Sequence, residues 1–419
     1  MRYPRMFRIA QKFDAPVVED IPHAVRQEIR KLRPEAKIKS GQTVAISAGS
    51  RGIANIAIIV KTMVEELKRI GARPFIVPAM GSHGGGTAEG QRGILEHYGL
   101  TEEALDAPIK ASMEVVQVGR TEDGISVHFD RYASEADHVV VFNRVKPHTG
   151  FSGEIESGLM KMMLIGLGKH EGAIVYHKAI VHHTFDRIVR TVGRLVLSKC
   201  PIAFGLATLE NGYDQTAKIA ALHPEQFEEE EKKLQSQAKT WMPKLPFMEA
   251  DLLIVDKMGK DISGAGMDTN VIGRKYNEHK AAPDEYPKIL RIFVRDLTEE
   301  SHGNAAGLGL AEFTTTRLVE NVDHHATFVN CITGSHPAAA SIPIYYDTDR
   351  KILDVALSTI GLVESEQARV IRIKNTLDLG EVEVSEVYGD QIEARDDLKI
   401  ISEPQEMAFD EARNLSPFH

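Results

Sequence analysis

Twice within its first hundred residues the chain repeats one pattern: a short apolar run, a glycine loop, then a stretch with helical spacing of apolar residues. Residues 42–47 (QTVAIS) lead into Ala48-Gly49-Ser50-Arg51-Gly52 and a helix expected over 53–70. Residues 74–77 lead into a second glycine loop at 80–86 and a helix running to about residue 98. Buried strand, loop and helix in succession mark a parallel α/β unit. Ligands of such sheets sit at the carboxyl ends of strands, where both loops fall.

Further along, residues 115–118 and 125–129 read as a hairpin about Glu122-Asp123-Gly124, and residues 138–142 (HVVVF) as a buried strand. A helix is expected at 184–197 and a strand at 202–208. The stretch 224–241 is acidic then basic, charged at most positions, and reads as a solvent-exposed or interdomain helix. Residues 243–246 read as a linker, after which an α/β rhythm resumes at 251–256, 289–294 and 369–373. The fold class expected is α/β: two α/β domains, residues 1–247 and 250–395, with an active-site cleft between them. The tail over 403–415 reads as helical, and a C-terminal helix at about 400–419 is expected to pack back on the first domain.

The chain has 419 residues, 42% of them hydrophobic and 26% charged, the composition of a globular protein with real cores. A net charge of -10 argues against a nucleic-acid binder and against a polybasic membrane-surface protein. No run approaches the ~20 apolar residues that span a bilayer, and the N-terminus lacks a secretory apolar core. Cys200 and Cys331 are the only cysteines, too few for a disulfide framework or a thiolate metal cluster. A cytoplasmic enzyme acting on a small molecule is the resulting expectation.

Chemistry concentrates in residues 143–177 (NRVKPHTGFSGEIESGLMKMMLIGLGKHEGAIVYH), which combine His148, Lys161, His170 and His177 with six glycines. Lys161 lies among Leu159, Met160, Met162, Met163 and Leu164, and apolar surroundings ease loss of its proton and make it a nucleophile. His148 follows Pro147 directly after the buried strand 138–142. His83, in Gly-Ser-His-Gly-Gly-Gly, lies on a second strand-end loop, with Thr87 placed to cap the next helix. Two imidazoles facing each other across a cleft supply what inversion of a stereocentre needs, a proton acceptor and donor on either face. Gly49, Ser50 and Arg51 precede a helix, where N–H groups and a guanidinium bind phosphate or carboxylate.

His170 and His177 share a face only if their segment is helical, and residues 168–172 are expected not to be. His182-His183 and His324-His325 read as structural. A third glycine loop, residues 258–276, carries Lys260, Asp261, Asp268, Asn270, Arg274 and Lys275, groups able to close over an acid substrate.

Taken in order, Arg51 in its loop, Gly-Ser-His at 81–83, Pro-His-Thr-Gly-Phe-Ser-Gly at 147–153, Lys161 and His177 resemble the lactate racemase family, the nickel-pincer-nucleotide enzymes. The resemblance implies a racemase or epimerase of a 2-hydroxy acid, working by proton-coupled hydride transfer to and from the cofactor, nickel pyridinium-3,5-bisthiocarboxylate mononucleotide. It implies His83 and His148 as proton donors and acceptors and Lys161 as the residue joined to the cofactor. It further implies His177 as the nickel ligand, with His170 as the alternative, and Gly49, Ser50 and Arg51 as holding the nucleotide. Arg274 and Lys275 are the nearest cations to the family's substrate anchors. Cofactor-synthesis proteins are the implied partners, and homo-oligomerisation is left open.

Ala48 stands where the family has an acidic residue. The stretch between His148 and Lys161 is longer than the lactate-specific pattern, and the second domain's glutamine and lysine have no clear match. These departures point from lactate toward another 2-hydroxy acid, such as malate or a sugar acid. Two rival readings stand beside this one: a zinc-dependent hydrolase using the loop histidines, and a non-catalytic protein that binds a nucleotide cofactor.

Overall fold

The computed structural model describes residues 1–50, 52–275, 282–334 and 336–418. The chain packs as two units, one formed by Asp14–His148 and Ser152–Met242, the other by Met1–Phe13, Thr149–Phe151 and Pro243–His419. Both are mixed α/β. Strand β1 (Met6–Gln11) opens the chain and belongs to the second unit.

In the first unit, β2 (Thr43–Ala48), β3 (Arg73–Pro78), β6 (His138–Arg144), β7 (Ile202–Glu210) and β8 (Thr216–Leu222) form a sheet of order β3-β2-β6-β7-β8. All pairs are parallel except β7 with β8. A separate antiparallel hairpin joins β4 (Val115–Arg120) to β5 (Ser126–Asp130). β2 is buried from Val44 onward, as a strand covered on both faces must be. One face packs on helices Ile21–Lys31 and Ile56–Arg69, whose Val25, Ile29, Ile59, Val60, Met63 and Leu67 join Val44, Ile46 and Val140 in one core. The apolar spacing of both helices matches that core face.

Helix Phe227–Trp241 covers the other face, and the expectation of a solvent-exposed or interdomain helix is corrected. Phe227, Glu231, Leu234, Gln235 and Ala238 are buried on one side of it. A Cβ on Gly205 of β7 would come 2.6 Å from both the Phe227 ring and Leu159 Cδ1, so glycine is what admits them. Glu231 and Gln235 hid this face, because polar residues at core positions imitate a solvated pattern.

In the second unit, β9 (Glu249–Val255), β10 (Lys288–Val294), β11 (Phe313–Thr315), β12 (Ile344–Tyr346), β13 (Val370–Ile373), β14 (Glu381–Ser385) and β15 (Leu398–Ile400) join β1 in one sheet. Its order is β12-β11-β10-β9-β13-β14-β1-β15. β12 through β13 run parallel, and the β14, β1 and β15 end is antiparallel.

Residues 1–13 therefore separate from the domain expected over 1–247: β1 pairs on both edges, and Ile9 is fully buried between β14 and β15. A strand at the start of a chain carries no sequence mark of its distant partners. The tail also differs from expectation. It contains no helix between Leu398 and Phe418; Met6 bridges Gln405 and Phe409 bridges Leu415. Met407 and Phe409, two residues apart, both pack on this unit's own core, as does Leu415. That spacing of two is an extended-chain period, and the tail groups with the second unit.

Both cysteines are buried, and burial pushes the Cys200 thiol up to about 12. No helix among the described residues is long and apolar enough to cross a membrane.

Candidate functional site

Three neighbouring parallel strands of the first unit end in the three sequence-marked loops. β2 ends at Ala48 and delivers Gly49 and Ser50; β3 ends at Pro78 before His83; β6 ends at Arg144 before His148. Arg51 lies outside the described residues. Ser50 Oγ and His83 Nδ1 are 2.5 Å apart, which ties the first loop to the second. Thr87 caps helix Ala88–His97 by accepting from the Gly90 amide at 3.0 Å.

Both loops rest against the turn that follows Lys161. The short helix Leu159–Lys161 runs directly into a π-helical turn, Met162–Gly166, a geometry frequent at functional sites. A Cβ on Gly49 would lie 3.3 Å from Met162 Cε, and one on Gly81 (φ +61°) would lie 3.0 Å from Ile165 Cγ2.

The other site groups gather about Phe185, the first residue of helix Phe185–Lys199. The His148 ring stacks on it at 6.0 Å and 25°. Lys161 Nζ stands 5.8 Å from its centroid. Tyr176 meets it edge-on at 5.5 Å and in turn touches His177 at 5.3 Å. Burial, and after it the Lys161 charge, hold the His177 imidazole below its ordinary pKa. His177 Nδ1 is buried without a hydrogen-bond partner. A neutral imidazole with an unengaged nitrogen suits metal ligation. Among the described residues no three His, Cys, Asp or Glu side chains are grouped to hold a metal ion.

Lys169–Ala179 is a helix, so the expectation for residues 168–172 is corrected, and His170 and His177 lie two turns apart on it. Lys169 starts it with a φ of 54°, a kink the glycine-rich sequence disguised as a loop. His170 is exposed, and a Cβ on Gly86 of the His83 loop would lie 3.7 Å from its Nδ1.

Supporting residues escaped the sequence reading. Lys169 is fully buried, paired with the buried Asp130 at 3.0 Å and bonded to the Pro78 carbonyl. Burial drives both partners toward neutrality, raising the Asp130 carboxyl and lowering the Lys169 ammonium. Gln91 is 3.4 Å from Lys169 Nζ and donates to the Gly81 carbonyl at 2.8 Å and the His83 carbonyl at 3.3 Å, which fixes the His83 loop from beneath. On the other side, Glu156 accepts from the His148 amide at 2.8 Å, and Glu231 accepts from the Leu159 amide at 2.7 Å. Burial pushes the Glu231 carboxyl up to about 8, against the pull of the Met160 and Leu159 amides. Nothing in a single sequence pairs residues so far apart.

The second-unit candidates are engaged within their own unit. Arg274 is fully buried; its Nη atoms bond Glu312 and the carbonyls of Leu310, Ile289 and Leu290. A guanidinium so enclosed braces the fold and presents no open fork, which corrects its expected substrate role. Lys275 Nζ donates to the Phe151 carbonyl at 3.0 Å. Lys260 bonds Asn330 Oδ1 at 2.6 Å, and Asp261 accepts from Thr298 at 2.5 Å.

Residues 9–187 match the model of the lactate racemase N-terminal domain. Over that segment the chain is similar to the lactate racemase N-terminal domain. Gly49, Ser50, His83, His148, Lys161, His177 and Phe185 all fall within the matched lactate racemase segment, whereas Glu231 lies beyond it. The structure of the lactate racemase apoprotein from Thermoanaerobacterium thermosaccharolyticum is similar, with a TM-score of 0.52 at 12% identity over 87% of this chain and 93% of that one. At that identity the likeness speaks for the fold. A protein from Thermotoga maritima matches with a TM-score of 0.47 at 11% identity, over 78% of this chain and 84% of that one. Among curated proteins, none matches the sequence.

Proposed function

We propose that this chain is a member of the lactate racemase family and that it racemises or epimerises a 2-hydroxy acid with a nickel-pincer nucleotide. The observation that carries the reading is the shared Phe185 platform, which brings His148, Lys161 and, through Tyr176, His177 together from three separate segments. The residues fit the cofactor on the chemistry of their donors. Lys161 would supply the amine for a covalent link, and His177, whose buried Nδ1 has no hydrogen-bond partner and whose pKa is lowered, would offer an imidazole to the metal. Gly49 and Ser50, with Arg51, are assigned to the nucleotide. When bound, this group supplies an electrophilic carbon that accepts and returns hydride.

The chain's own part is proton movement and positioning. His83 and His148 are assigned to the 2-hydroxyl proton: one takes it from the oxygen as the carbon loses hydride and becomes planar, and the other returns a proton to that oxygen when the hydride is delivered back to the opposite face of the carbon. Ser50 holds His83 Nδ1, and Nε2 is the nitrogen assigned to the exchange. Lys275 is retained as a candidate substrate cation. The departures at Ala48 and in the 148–161 stretch favour a 2-hydroxy acid other than lactate.

Protein made together with the pincer-synthesis machinery should show a covalent mass addition that Lys161→Ala abolishes, and bound nickel that His177→Ala abolishes. Single replacement of His83 or His148 by Ala should keep the addition and lower turnover by roughly 10²–10⁴-fold. An unmodified, nickel-free chain in a host that loads a known family member would defeat the reading.

A further inference from the structure

The acidic helix Phe227–Trp241 lies outside the matched family domain, yet two of its side chains reach the pieces that carry Lys161 and His148. Glu231 sits at the start of the Lys161 turn. Its Oε2 accepts from the Leu159 amide at 2.7 Å and the Met160 amide at 3.2 Å, two N–H groups that a helix start leaves without partners. Gly158 before them holds a φ of +96°, and a Cβ there would meet the Glu231 carboxylate at 2.8 Å. Two turns further on, Lys239 pairs with the buried Glu156 at 2.6 Å and donates to the Gly153 carbonyl at 3.0 Å. Glu156 in turn accepts from the His148 amide at 2.8 Å and the Gly153 amide at 3.1 Å.

We infer that Glu231 is a positioning residue for Lys161, and that the same helix, through Lys239 and Glu156, sets the His148 loop. Glu231 touches neither substrate nor cofactor. It fixes the first two amides of the turn on which Lys161 is the third residue, so the ε-amine is presented in one place before anything binds. The glycine at 158 and the carboxylate at 231 are a matched pair: one removes the Cβ that would exclude the other.

The inference rests on Lys161 as the attachment point, and its test separates the two. In the apoprotein, Lys161 acylation by acetic anhydride is measured by peptide mass mapping relative to the exposed Lys199, with amide exchange followed across residues 158–166. Glu231→Leu, which keeps the volume but no acceptor, should lose at least tenfold in exchange protection at Leu159 and Met160 and change the Lys161 to Lys199 ratio severalfold. Glu231→Gln, which keeps an acceptor, should restore most of both. In the loading host, the fraction of chains modified at Lys161 should fall at least tenfold for Glu231→Leu and recover for Glu231→Gln, while Lys239→Met loads normally and loses turnover. A Leu variant that matches the parent, or a Gln variant as poor as a folded Leu variant, overturns the inference. If Glu231→Leu does not fold, failure of Glu231→Gln to hold parental exchange at Leu159 and Met160 overturns it. A parent that never loads defeats the proposed function alone, because the apoprotein measurements still decide for or against Glu231.

Discussion

At the scale of single residues, the site depends on side chains whose protonation the fold has adjusted. Burial, and after it the Lys161 charge, lower the pKa of the His177 imidazole, which favours the form with a free lone pair. Ser50 has a narrower task, holding one nitrogen of His83. A hydrogen bond of this kind contributes about 1 kcal/mol. Ser50→Ala should therefore lower turnover per loaded chain by roughly tenfold or less. Steady-state rates divided by the loaded fraction from an intact-mass measurement check this. The sequence marks His83, His148, Lys161 and His177 as candidates, because imidazoles and an amine among glycines have few structural reasons to be there. Phe185 was not, since one aromatic at a helix start looks like any core residue.

At the scale of elements, the lesson lies in helix Phe227–Trp241. Its buried Glu231 has a carboxyl pKa raised to about 8, above the ordinary carboxylate value, with burial as the leading cause. A group raised in the folded state favours folding while protonated. Its contribution is fully present below the unfolded value near 4.5 and is lost as pH rises through about 8. The parent should thus lose stability relative to Glu231→Gln between pH 5 and pH 8.5, by a few kcal/mol. Urea unfolding of both proteins at the two pH values reads the difference, and parallel behaviour would refute it. Most strands and helices were legible, since β2, β3, β6, β7, β9 and β10 are nearly continuous apolar runs. The tail was misread because Met407 and Phe409 keep an extended period of two whose packing partners lie far away in sequence.

For the whole molecule, contiguity in sequence and membership of a packed unit are different things. β1 sits between β14 and β15, so the second unit needs the first thirteen residues of the chain. Deleting residues 1–13 should strip exchange protection from residues 381–385 and 398–400 while β2, β3, β6 and β7 stay protected. Hydrogen exchange with mass analysis would show it, and equal loss in both units would refute it.

By itself the sequence determined the α/β class and the two glycine loops at strand ends and marked the candidate side chains, because local periodicity and residue chemistry are properties of neighbours along the chain. Tertiary structure alone decided that Phe185 is the platform and that Gln91 and Lys169 hold the His83 loop. It also decided that Glu231 fixes the Lys161 turn, that Arg274 is a brace, and that β1 and the tail join the second unit. Each of these is a contact between residues far apart in sequence, and such contacts exist only once burial has removed water and left each polar group to find its partner in the fold.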